Sequence, residues 1–159
     1  MPMDFLPQQL DESLELNLII AQALEIFRND FYNNTPPSIN GIAVHANQSI
    51  TASAREQSFD HVITRDPKDG QPRSIDISRA SRVPWIRPLI ENFNNPELVY
   101  FQYLEGSGYV RDYIWDRTND YVVILENKGH QLHLVTAFNI DVDWKRYDLL
   151  KKQKKALKP

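Results

Sequence analysis

Residues 121–138 read Tyr-Val-Val-Ile-Leu-Glu-Asn-Lys-Gly-His-Gln-Leu-His-Leu-Val-Thr-Ala-Phe, and this stretch decides the fold. Two apolar runs, Val122 to Leu125 and Leu132 to Val135, flank a polar turn holding Lys128 and Gly129. That pattern is the signature of a β-hairpin. The second run closes on Thr136-Ala137-Phe138, which puts a hydroxyl inside an otherwise apolar strand. Such a hydroxyl needs either a structural hydrogen bond or a chemical task.

Upstream of the hairpin the strand pattern continues. Tyr109, Arg111, Tyr113 and Trp115 alternate with Val110, Asp112 and Ile114, the period of an antiparallel strand with two unlike faces. Leu98 to Leu104 precedes it across the turn Glu105-Gly106-Ser107-Gly108, and Arg117-Thr118-Asn119-Asp120 leads into Tyr121. Short connections throughout predict a four-stranded antiparallel meander with the hairpin at its centre. Trp144 to Lys155 reads as a short C-terminal helix.

The first half of the chain reads as helix. Leu16, Ile20, Ala23, Leu24, Phe27 and Phe31 recur at spacings of three and four, which predicts an amphipathic helix over about 11–32. Asp11 and Glu12 suit its positive N-terminal end, and Pro36-Pro37 stops it. Ile42 to Val44 suggests a short strand, Ser49 to Phe59 a second helix, and Phe59 to Thr64 an alternating segment. Residues 66–72 read as an exposed turn. Ser81 is a candidate cap for a helix running to about Asn92, with Pro84 in its first turn and Pro88 kinking it. The expected class is therefore α+β: N-terminal helices, a four-stranded antiparallel meander and a short C-terminal helix. The expected organisation is an N-terminal amphipathic helical segment over 1–35 and an α+β domain over 36–159.

The 159 residues carry 42% hydrophobic and 25% charged side chains, ordinary values for a globular protein. No apolar run approaches the length of a membrane span, so no membrane partner is expected. The absence of cysteine removes disulfides and thiolate metal sites, and a cytoplasmic protein is the expectation. The net charge of −3 is unevenly spread. Before Thr51 the only basic side chain is Arg28, the middle is rich in arginine, and the end is rich in lysine. A basic face of that kind suits an anionic partner, with Lys151 and Lys152 as candidate contacts.

Several chemistries lack a motif. No phosphate-binding glycine loop exists among the five glycines, and His130 and His133 have no carboxylate pair beside them, so neither cofactor nor metal is expected. There remain His61, Arg65, Arg79, Arg82, Tyr113 and Thr136. Together they supply what metal-free RNA cleavage needs: a base for the ribose 2′-hydroxyl, an acid for the leaving oxygen, and fixed positive groups for the charge on phosphorus. Tyr113 and Trp115 offer stacking surfaces for bases.

Arg82-Val-Pro-Trp-Ile, Ile90-Glu-Asn, Asn95-Pro96, the run Tyr121 to Leu125 and the closing Leu134 to Phe138 resemble the phage-type members of the barnase, EndoU, colicin E5/D and RelE-like nuclease superfamily. The resemblance covers roughly residues 61–140. It implies a metal-independent ribonuclease, often a toxin, acting on tRNA or mRNA in the cytoplasm of its own or a target cell. Carried onto this chain, it implies that His61 and Arg65 form an early polar site. Arg82 is then the arginine entering the helix and Thr136 the hydroxyl of the last strand. In that reading His61 is the general acid or base, Arg65 and Arg82 clamp phosphate, and Thr136 positions; Arg79, Tyr113, Trp115, Lys151 and Lys152 bind substrate. The segment from Lys68 to Arg73 is longer than the pattern, and the acidic N-terminal helix lies outside it. A rival expectation uses that helix: a non-catalytic immunity, antitoxin-like or phage accessory protein that docks a partner through Leu16, Ile20, Phe27 and Phe31. A small transferase toxin, such as an ADP-ribosylating one, is a third. The oligomeric state is left open.

Overall fold

The computed structural model describes residues 4–66 and 71–158. The turn expected at 66–72 falls largely on residues 67–70, outside the described residues. The class is α+β. Its elements are α1 (Leu16–Phe31), β1 (Ser38–Ile39), β2 (Ile42–His45), α2 (Gln57–Ile63), β3 (Thr64–Arg65), β4 (Ser74–Ile75), α3 (Ile77–Ser81), a 3-10 turn (Val83–Trp85), α4 (Ile86–Glu91), β5 (Val99–Leu104), β6 (Val110–Asp116), β7 (Tyr121–Asn127), β8 (Leu132–Asn139) and α5 (Asp143–Lys154).

The sheet corrects the expected four-stranded meander. Strands β5 to β8 do pair consecutively and antiparallel, but the sheet has six strands in the order β1-β2-β8-β7-β6-β5. β2 adds to β8 in parallel, with Val44 opposite Leu132 and His45 opposite His133, so the sheet is mixed. A parallel neighbour arrives from far along the chain, and no local turn signal announces it. β7 and β8 remain central, and the turn between them is held as its sequence asks. Gly129 takes φ +82° and its N–H donates to the Asn127 side chain at 2.8 Å.

The two faces of the sheet have different covers. The inner face presents Ile114, Tyr121, Val123, Leu125, Leu134 and Ala137 to a core built with α1, α2, α3 and α4. From α1 come Ile19, Ala23, Phe27 and Phe31, all buried. Of the expected docking stripe, Phe27 and Phe31 are spent on the chain's own core, with Phe27 fully enclosed and 5.5 Å from the Phe59 ring, whereas Ile20 is half-buried and Leu16 is exposed. The outer face, with Phe101, Tyr113, Trp115, Val122 and Ile124, packs a smaller cluster under α5 through Leu149.

Helix boundaries moved for local reasons. Asp11 does not start α1, because its carboxylate accepts from the Ser13 N–H and hydroxyl at 2.9 and 2.7 Å in a tight turn. The second helix, expected over 49–59, begins only at Gln57. Residues 50–56 fold back instead, with an Ile50–Glu56 bridge and Ala54 at φ +63°. The alternating reading of 59–64 was a helix period misread: Phe59, Val62 and Ile63 face the core from α2. Ser81 is no cap. Asp76 caps an earlier helix, α3, accepting from the N–H groups of Ser78 and Arg79; Ser81 is the last residue of α3, and the expected single helix over 81–92 is the 3-10 turn followed by α4. Pro84 and Pro88, lacking N–H donors, suit the early positions they occupy in those two pieces.

Candidate functional site

The site is built around an irregularity in β8. Leu134 pairs with Leu125 and Thr136 with Ile124, so Val135 is an extra residue, a β-bulge. Strict alternation from Leu132 and Leu134 would turn Thr136 into the inner core. The extra residue shifts the phase by one, sending Ala137 inward and Thr136 and Phe138 outward. The hydroxyl in the apolar run is therefore half-exposed on the outer face, and no side-chain hydrogen bond engages it among the described residues.

Below that face and α5 lies a cavity of 360 Å³, within the roughly 300–1,000 Å³ of ordinary ligand clefts. His61, Arg79, Arg111, Tyr113, Thr136, Phe138, Trp144, Lys145 and Lys152 line it, with Asp66 and Asp148 as its carboxylates. A second cleft of 760 Å³ adjoins it, sharing Asp66, Arg79, Trp144 and Lys145 and adding Arg65 and Arg73.

His61 reaches the cavity from the last turn of α2. Its ring is half-buried, and no partner holds either nitrogen among the described residues. Burial first, then the charges of Arg73 and Arg79, lower its pKa below the ordinary 6.5, outweighing Asp66 and Asp60. The imidazole is neutral at physiological pH and free to accept a proton.

Arg79 comes from α3 and is buried. Its Nη1 donates to the Thr64 carbonyl at 2.6 Å and its guanidinium lies 5.3 Å from the centre of the Phe138 ring. Lys145 covers the same ring at 5.4 Å and pairs with Asp141 at 2.9 Å. Burial, then Arg79 and Arg65, lower the Lys145 pKa, which makes its ammonium a readier proton donor. Arg111 stands beside Thr136's neighbours on β6 with a buried Nε that no acceptor meets, and no carboxylate pairs with it among the described residues. At the far end Lys152 Nζ lies 3.0 Å from the Tyr113 hydroxyl, which also bonds Glu105. Burial, then the Glu105 carboxylate, push the Tyr113 phenol up to about 12, so it stays protonated.

His61, Thr136, Arg79, Tyr113 and Lys152, singled out from sequence, thus meet in one cavity. Arg65 sits in the adjoining cleft, held by Asp76 at 2.9 Å and by Asp141. Arg82 lines neither. It donates to the Ser78 carbonyl at 2.9 Å and lies against Trp85, whose ring meets Tyr121 on the inner side of the sheet. Trp115 is fully buried, and Lys151 points outward from α5. Sequence reasoning passed over Arg111 and Lys145. Arg111 had a signal: it stands two residues before Tyr113, on the same side of an alternating strand. Among the described residues no group of three His, Asp or Glu side chains converges as a metal site would need.

Compared with family models, with curated proteins and with solved structures, the chain matches none. No described helix is long and apolar enough to cross a membrane.

Proposed function

We propose that the cleft under α5 binds a phosphodiester of RNA and cleaves it by attack of the 2′-hydroxyl, without a metal. The observation that carries the reading is the company of His61. A neutral imidazole, without a hydrogen-bond partner among the described residues, opens into the same cavity as Arg79, Arg111 and Lys145. Proton acceptor and cations at one point are what a phosphorane-forming step requires.

In this mechanism His61 takes the 2′-hydroxyl proton as the 2′-oxygen bonds to phosphorus. The bond from phosphorus to the 5′-oxygen breaks, and Lys145 supplies the proton to that leaving oxygen. The products are a 2′,3′-cyclic phosphate and a 5′-hydroxyl end. Arg79 and Arg111 hold the non-bridging oxygens, where a planar guanidinium donates two parallel hydrogen bonds. Thr136 donates to the same phosphate from the sheet. Toxin action would follow from cutting tRNA or mRNA in a cytoplasm.

Incubation with total tRNA and mRNA in excess chelator, followed by end-group mapping, tests this. Cyclic phosphate ends that vanish in a His61→Ala variant are the expected result. RNA that is bound and never cut would leave a binding module and overturn the catalytic reading.

A further inference from the structure

The outward side of α5 is at odds with a merely solvated helix. Trp144 and Tyr147 are 69% and 73% exposed, although the helix docks on the sheet through Leu149 alone among its buried residues. Large aromatic surface left in water contributes nothing to folding. Trp144, Tyr147, Lys151 and Lys154 recur at spacings that place them along one stripe. Tyr147, Leu150, Lys151 and Lys154 border an open groove of 390 Å³.

The charges divide in the same way. Lys145 pairs with Asp141, Arg146 with Asp120, and Lys152 with Glu105 and Asp148. Lys151 and Lys154 pair with no carboxylate among the described residues; the acids that flank the stripe are Asp143 in the first turn and Asp148, which Lys152 engages at 3.6 Å. It begins at the cleft, because Trp144 lines both cavities described above. From Trp144 to Lys154 the helix rises about 15 Å, enough to track a short run of nucleotides.

We infer that this stripe carries the single-stranded nucleotides next to the phosphodiester in the cleft. Bases stack on Trp144 and Tyr147, and backbone phosphates follow Lys151 and Lys154. The inference rests on the reading of the cleft as an RNA site and adds the form of RNA it takes. Two exposed rings followed along the helix by two lysines that no carboxylate engages among the described residues suit a single strand, whose bases are open to stacking, and not a duplex, whose bases are already stacked.

The test uses the full chain and fluorescent RNAs with 2′-O-methyl groups, which cannot be cut by 2′-attack. One is a trinucleotide and the other an oligomer of about twelve nucleotides, inside the range single-strand sites occupy. The longer strand is expected to bind more tightly to the unaltered protein. The combined variant Tyr147→Ala, Lys151→Ala, Lys154→Ala is expected to lose that length advantage, weakening on the order of tenfold or more. The log–log salt slope should also fall by about 1.4 for the two lysines. A length advantage that survives in the variant overturns the inference, as does a duplex of equal length that binds as well as the single strand. So do phosphatidylserine vesicles whose binding needs the stripe while RNA binding does not. Cleavage of total RNA in chelator reads the cleft separately. Cutting without stripe dependence sinks the stripe alone, and no binding of either RNA sinks both.

Discussion

The guanidinium of Arg79 donates to the Thr64 carbonyl oxygen at 2.6 Å while its flat face lies over the ring of Phe138. One buried side chain therefore ties the end of α2, which carries His61, to the strand that carries Thr136. Arg79→Ala leaves the Thr64 carbonyl with the longer 3.0 Å bond from Arg73 and empties the cavity wall of a cation. The expected cost is about 1.5–3 kcal/mol of unfolding free energy, the value of a buried charge-assisted hydrogen bond, together with loss of RNA affinity. Arg79→Lys keeps the charge without the fork and should recover part of the affinity and little of the stability. Denaturant titration and RNA binding on both variants decide it; an unchanged Arg79→Ala protein would remove the residue from both roles.

His61 and Thr136 separate chemistry from folding. The His61 ring holds no hydrogen bond among the described residues, so His61→Ala should leave the melting temperature nearly unchanged. It should cut the cleavage rate by roughly 10²–10⁴, the span of a general base. Thr136→Val keeps the side-chain shape and removes the hydroxyl, and Thr136→Ser restores it. Cleavage lower in the valine variant and recovered in the serine one is the expected order. Equal rates in all three would leave Thr136 as sheet cover.

The pH dependence has a definite sign. Burial, then Arg73 and Arg79, set the folded pKa of His61 below 6.5. A base must be neutral to work, so the acid limb of kcat/KM should fall below pH 6.5 and disappear in the His61→Ala background, where only residual activity remains. Stability follows the same group. As pH drops from 6.5 toward the folded value, the unfolded chain takes up its proton first, so unfolding becomes easier through that window. His61→Ala should flatten that slope. An acid limb lying above 6.5 would mean that a carboxylate, not burial, governs the ring.

The strands from Val99 to Asn139 were legible because period-2 alternation and short polar turns are local signals. Three features were not. The parallel pairing of β2 with β8 joins Val44 to Leu132, and its contact depends on the whole core having formed. The bulge at Val135 changes which way Thr136 points, and an apolar run of Leu, Val, Ala and Phe gives no mark of an inserted residue. The helix at 57–63 is so short that Phe59, His61 and Ile63 also fit alternation, and the burial of Ser58, Asp60 and Val62 between them decides against it. His61 and Arg79 were visible as chemistry; that they face the same cavity was visible only in three dimensions. Arg82 stands not in a helix but at the junction of α3 and the 3-10 turn, and there its guanidinium lies against Trp85.

Phe27 distinguishes a helix that belongs to the core from one kept for a partner. Its ring is fully buried, with Phe31 at 4.7 Å, Phe59 at 5.5 Å and Tyr32 at 5.7 Å. Phe27→Ala deletes a ring that three aromatic neighbours on two elements enclose, and the gap closes only in part. The expected loss is about 3–5 kcal/mol, read as a lower denaturant midpoint with an unchanged slope. Leu18→Ser, on a side chain 51% exposed along the same helix, should stay within about 0.5 kcal/mol of the parent. A docking surface would give the reverse at Phe27: the alanine change tolerated in the isolated chain and damaging to a complex. Because α1 supplies one wall of the inner core, a chain lacking residues 1–35 should fail to give a cooperative unfolding transition. A truncated protein that still unfolds cooperatively at a similar midpoint would mean that the sheet and α2 to α4 close the core without it.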